Sequence, residues 1–121
     1  MEEGNNMNTI IQSCSYYDEI LLKKIKIWIK LPYEYKKNDK ELTSNYAKII
    51  VVWKSNFMII KSINIDTKFR GQKIWTNLVI ELEKLNIIIK LQSVLNEKLL
   101  NFMIRRGWKK VFNELSVYYI T

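Results

Sequence analysis

Only three of the 20 basic residues are arginines, at positions 70, 105 and 106. Arg70 begins the run Arg70-Gly71-Gln72-Lys73, which lies between an apolar stretch ending at Asp66 and a helical pattern beginning near Gln72. A loop that opens a helix leaves backbone N–H groups unpaired at the positive end of the helix dipole, a ready site for an anion. A guanidinium beside it can grip phosphate at two points. A plain strand-to-helix turn with a solvated arginine accounts for the spacing equally well. The other residues with chemical potential are few. Asp66 is the carboxylate nearest that loop on its strand side, although an Asp at a strand end is commonly a turn former. Tyr118 and Tyr119 carry hydroxyls near the end of the chain, where packing is their commoner role. Glu81 and Glu83 are two apart on a helix and do not face each other, so they make a poor acid–base pair. Cys14 has no second cysteine and reads as a small buried hydrophobe.

The elements that would position these residues follow from periodicity. Met1 to Asn8 has none and reads as a loose end, and Thr9 to Cys14 reads as a first strand. Tyr16 to Leu31 fits two patterns. Ile20, Leu21, Ile25, Trp28 and Ile29 share a helical face, while Ile25, Ile27, Ile29 and Leu31 alternate with lysines as in a strand. A helix from about Asp18 is favoured, because Asp18-Glu19 suits its N-terminus and the lysines follow. Pro32 ends it, and Tyr33 to Asn45 reads as a loop or short helix. The β-branched run Tyr46 to Trp53, the turn Lys54-Ser55-Asn56 and Phe57 to Ile65 make a hairpin. Ile74, Leu78, Leu82 and Leu85 mark an amphipathic helix closed by Asn86. Ile87 to Leu91 reads as a strand buried on both faces. Asn96 to Arg106 is the last helix, with Gly107 as its cap, and Trp108 to Phe112 and Leu115 to Ile120 are two short final strands. A hairpin followed by two crossovers requires a mixed sheet.

Composition narrows the function classes. At 121 residues and 48% hydrophobic, the chain fits one domain with a real core, here residues 9–121. Having no histidine excludes Ser–His–Asp and Cys–His catalysis and imidazole metal ligation, so no metal is expected. Neither common glycine-rich phosphate-loop pattern is present. The net charge of +8 invites an anionic partner. However, Lys, Asn and Ile together make 48 of 121 residues, and their A/T-rich codons account for much of the lysine. Most lysines are therefore expected on a solvated surface. Lys23, Lys24, Lys26 and Lys30, interleaved with Tyr17 and Trp28, could instead form a basic, aromatic surface for nucleic acid or an acidic protein. No membrane span or secretory signal is legible. The composition suggests a cytoplasmic protein, from a virus or mobile element acting in a host cell.

Two stretches resemble the signatures of the GNAT superfamily of N-acetyltransferases. Ile63-Asn-Ile-Asp-Thr-Lys-Phe-Arg-Gly-Gln-Lys-Ile74 is similar to the acetyl-CoA motif, an apolar strand and short loop followed by Arg/Gln-x-x-Gly-x-Gly/Ala entering a helix. Asn96-Glu-Lys-Leu-Leu-Asn-Phe-Met-Ile-Arg-Arg-Gly-Trp108 resembles the second signature, an Asn opening a helix that a Gly-aromatic pair closes. The resemblance covers about Tyr46 to Thr121. It implies an α/β layered fold with a mixed sheet flanked by helices, of order β-α-(α)-β-β-α-β-α-β-β. It implies acetyl-CoA as cofactor, with pyrophosphate on the loop Arg70, Gly71, Gln72, Lys73 and Ile74, and pantetheine along Ile63 to Ile65 and near Asn96. It also implies acetyl transfer to an amine of a protein or small molecule.

The departures set the alternatives. Lys73 and Trp75 stand where the motif has small residues that let a backbone approach phosphate closely. Met103 stands where the family commonly has a thiolate-protonating tyrosine. Asp66 is then the candidate base and Tyr118 the candidate acid. The alternative is an inactive GNAT-fold module that binds a host or other partner protein, or that forms a homodimer through exposed strand edges. Nucleic-acid binding ranks third.

Overall fold

The computed structural model describes residues 18–66, 74–92, 94, 97–111, 114 and 116–120. The expected first strand, Thr9 to Cys14, lies outside them. Helix α1 (Glu19–Ile29) settles the ambiguous stretch as a helix. Its N-cap is Asp18, whose Oδ1 accepts from Leu21 N–H at 3.0 Å. The other carboxylate oxygen accepts from Ser44 Oγ. That oxygen of Ser44 also accepts from the N–H groups of Tyr46 and Ala47, so one buried aspartate ties the helix to a strand turn. At the opposite end of α1, Lys36 Nζ donates to Ile29 O at 2.6 Å and lies 4.2 Å from the centre of the Trp53 ring. A cation at a helix C-terminus and over an indole face is doubly favourable, which is why this lysine can be buried.

A 3₁₀ turn (Tyr33–Tyr35) leads to strand β1 (Lys40–Thr43). The expectation of a loop or helix here is corrected for residues 40–43. The four residues have no clear alternation, and they become a strand because the edge of the next strand offers them partners. Lys40 pairs with Val51 and Leu42 with Ile49, and Lys48 and Glu41 form an ion pair at 3.2 Å. β2 (Ala47–Lys54) and β3 (Phe57–Ile65) form the expected antiparallel hairpin, with Ser55 at positive φ in the turn. After helix α2 (Ile74–Glu83), Asn86 takes φ 60° and the chain enters β4 (Ile88–Leu91). Helix α3 (Glu97–Arg105) closes with Gly107 at φ 101°. Trp108 N–H donates to Met103 O and Gly107 N–H to Ile104 O, the paired bonds of a glycine-capped helix end. β5 (Lys109–Lys110) and β6 (Val117–Tyr119) finish the chain.

The six strands lie in the order β1-β2-β3-β4-β6-β5. β3 and β4 are parallel and the other pairs antiparallel, so the sheet is mixed and mostly antiparallel, with helices flanking it. Buried side chains of the three described helices, Ile74 aside, join Ile49, Val51, Met58, Ile60, Ile89, Leu91 and Val117 in one apolar cluster. Strand β4 is not buried on both faces, which corrects the sequence expectation. Ile89 and Leu91 are buried, while Ile88 and Lys90 are half-buried, and Lys90 pairs with Glu114 at 3.3 Å. The short apolar run hid an ordinary one-sided alternation.

Candidate functional site

β4 pairs with β3 over only four positions, Phe57–Ile88 to Ile60–Leu91, and Gln92 N–H adds one bond to Ile60 O. β3 continues to Ile65, past an irregularity in its pairing with β2 between Ile50 and Val51. The shift leaves Lys61 with no opposite residue on β2. A bulge of this kind bends a strand and raises its twist. Among the described residues, no strand accompanies Lys61 to Ile65 on the β4 side. The two central strands therefore share one end of the sheet and not the other.

The expected cofactor-binding residues divide between this strand and segments outside the description. Ile63 and Ile65 lie half-buried on the part of β3 that outruns β4. Ile74 opens α2 and is 4% exposed. Arg70, Gly71, Gln72, Lys73 and Asn96 lie outside the described residues, as do Cys14 and Tyr17. Asp66 follows β3, is exposed, and donates its N–H to Tyr46 O at 2.8 Å. It borders an open recess of about 250 Å³, with Thr43, Tyr46, Lys48 and Asn64.

Tyr118 is on β6, half-buried, opposite Lys90 of β4, which is itself opposite Ile59 of β3. Asp66 is seven residues beyond Ile59 on β3. At about 3.3 Å per residue, the candidate base and acid are separated by about 20 Å along the strands. The sheet does not bring them together. Tyr119, on the other face, packs on Trp108 with ring centres 5.2 Å apart.

Of the three departures from the resembled motifs, Trp75 and Met103 are core residues and Lys73 lies outside the described residues. Trp75 is 5% exposed and belongs to the apolar cluster, and its Nε1–H has no hydrogen-bond partner among the described residues. Met103 is fully buried in the same cluster, and its thioether has no proton to donate. The indole is thus held in the protein interior as packing. Trp28 is also buried, against the edge of Trp53 at 6.3 Å. The alternative in which it forms an aromatic surface with the lysines of α1 is excluded, because its side chain belongs to the buried cluster.

One polar cluster was not legible in the sequence. Glu83 ends α2 and accepts from Arg106 Nε at 2.9 Å, Arg106 Nη2 at 2.7 Å and Trp108 Nε1 at 2.8 Å. This hydrogen bond to Glu83 is the main reason the Arg106 pKa is raised above its ordinary value. The partners are 23 and 25 residues apart. No local pattern links them, and the scarcity of arginine marks Arg106 without naming its partner. Its role is to tie α2 to the end of α3. Among the described residues no group of three or more metal-ligating side chains occurs, and no described helix is long and apolar enough to cross a membrane.

No protein-family model matches the chain, and no curated protein matches it. Solved structures do. The Bacillus subtilis N-acetyltransferase YlbP, in complex with coenzyme A, matches with 10% identity over 97% of this chain and 92% of that one, TM-score 0.49. The AtaT–AtaR complex bound to DNA matches with 19% identity over 64% of this chain, TM-score 0.47. There the chain spans 63% of its relative's length. AtaTR bound with acetyl-CoA matches with 17% identity over 65% of this chain and 64% of that one, TM-score 0.47.

Proposed function

We propose that this protein binds acetyl-CoA in the manner of a GNAT-like N-acetyltransferase and passes the acetyl group to an amine of a protein or small molecule. The observation that carries the reading is the length of β3 beyond β4. Five residues of strand run past the neighbour and lead towards the sequence Arg70-Gly71-Gln72-Lys73-Ile74, which enters α2. A strand edge without a strand beside it can accept an amide-bearing arm as an added strand. The N-terminus of a ten-residue helix suits a pyrophosphate. In this reading Ile63 and Ile65 flank the arm, Arg70 to Ile74 hold the phosphates, and Asn96 steadies the amide region. Bound there, acetyl-CoA supplies the activated acyl group. Asp66 as base and Tyr118 as acid are alternatives in this reading, since two groups about 20 Å apart cannot both reach one acyl carbon.

Isothermal titration of the full chain with acetyl-CoA tests the proposal. Saturable binding that weakens in Arg70→Ala and Gly71→Asp supports it. Heat and melting temperature unchanged at millimolar ligand would sink it.

A second reading, a GNAT-like module without catalysis that binds a partner protein, draws on Met103. A fully buried thioether occupies the place of the usual proton donor. Acetyl-CoA binding with no acetyl transfer to any amine acceptor would favour this reading.

A further inference from the structure

The outward side of α1 carries a pattern that its own core does not use. Ile20, Lys24, Ile27 and Leu31 follow one another at spacings of four, three and four. That alternation is the a/d seam of a helix that packs on another helix. Ile20 is 47% exposed, Ile27 60% and Leu31 39%. The inward side of the same helix is already complete, with Leu21, Leu22, Ile25 and Trp28 buried. Ile20 and Ile27 thus stand exposed on the helix two turns apart, Leu31 follows directly after its C-cap Lys30, and none of the three belongs to the buried core among the described residues.

The flank of the seam is basic. Lys23 and Lys30 each precede a seam residue, the position from which charged side chains reach across to a partner helix. Both are exposed, and neither forms an ion pair with an acid among the described residues. Lys24, within the seam, already donates to Thr43 O at 2.6 Å, which holds its stem along the surface. A second copy of this chain would set lysine against lysine in a protein of net charge +8. An aliphatic seam has no ring on which a nucleic-acid base could stack. A bilayer would impose no heptad register. What fits both the spacing and the charge is a helix with apolar seam residues flanked by carboxylates.

We infer that the outer face of α1 is a docking surface for an acidic amphipathic helix of a partner protein, with Ile20, Ile27 and Leu31 as anchors and Lys23 and Lys30 reading the acidic flank. The helix spans 11 residues, so the partner segment is about three turns long, about 16 Å. This surface is separate from the strand edge proposed for acetyl-CoA, and either inference can fail while the other stands.

The probe is a synthetic three-heptad peptide with Leu at the seam positions and Glu at the flanks, used where sedimentation shows it to be monomeric. Its scrambled isomer and a Lys-flanked version are the controls, with the full-length protein titrated by fluorescence anisotropy. The expected result is binding at least tenfold tighter than the scrambled peptide, weakening at least fivefold from 50 to 500 mM salt. Ile27→Asp, on an exposed position, should lose at least tenfold with an unchanged melting temperature. The double variant Lys23→Glu, Lys30→Glu should switch preference to the Lys-flanked peptide. Equal binding of the scrambled peptide overturns the inference, as does undiminished binding by both variants. So does capture of phosphatidylserine vesicles or a single-stranded oligonucleotide through these same residues in place of the peptide.

Discussion

The two ends of α2 handle buried polar atoms in opposite ways. At the last turn, the half-buried Glu83 accepts two donors from Arg106 and one from Trp108. At the first turn, Trp75 is buried with an indole N–H that meets no acceptor among the described residues. A carboxylate cannot be buried unpaired, so its end of the helix acquired a fitted clamp. An indole can be, because its large apolar body outweighs one orphaned N–H costing about 1–3 kcal/mol. The clamped end is therefore structural. The other end follows the Arg70-Gly71 segment, which the proposed function assigns to the phosphates.

Substitutions at each end would break or sharpen this contrast. The largest effect is expected from Trp75→Ala, which empties a core site and should cost about 3–5 kcal/mol by chemical denaturation. A cost below about 1 kcal/mol would mean that the indole is not core packing. Glu83→Ala strands the Arg106 and Trp108 donors and should cost about 2 kcal/mol, less than a fully buried pair because Arg106 is 36% exposed. The Arg106 pKa is raised, so its stabilisation is complete below the ordinary arginine value and is lost only as pH climbs past the raised one. The arginine contribution to that loss should accordingly be the same at pH 7 and pH 9. A loss that shrank at pH 9 through arginine deprotonation would contradict the assignment.

Gly71→Asp should weaken acetyl-CoA binding at least tenfold, since the added carboxylate repels the phosphates the proposal places there. Equal affinity in calorimetry would remove the loop from the site. The smallest effect is expected from Trp75→Phe. It gives up some packing but also removes the orphaned N–H, and the net change in unfolding free energy should stay within about 1 kcal/mol.

Much of the fold was legible because its causes are local. The β-branched run of β2 and β3 declares a hairpin. Gly107 at positive φ and Asn86 at φ 60° sit at the helix ends the sequence predicts. Asp18 caps α1 as its place before Glu19 implies. The edge strand β1 was not legible, because Lys40-Glu-Leu-Thr43 has only one buried residue and gains its conformation from β2. Trp28 is buried with Leu21 and Ile25, as its place on the apolar face of the helix implies, and the alternative of an aromatic surface with the lysines falls away. Of the candidate site, the strand and the helix that bracket the loop were readable. The distance between Asp66 and Tyr118 was not, since it depends on how three strands are registered side by side.

By itself the sequence determined the β2–β3 hairpin, the approximate place of the described helices, the mixed character of the sheet, and the absence of imidazole chemistry. These follow from side-chain periodicity, caps and composition, which act over a few residues. Tertiary structure alone decided that β4 stops while β3 runs on, that Trp75 and Met103 fill the core, and that Glu83 meets Arg106 and Trp108. Those outcomes rest on contacts between residues far apart in the chain, where close packing and the cost of burying an unpaired charge select the partner.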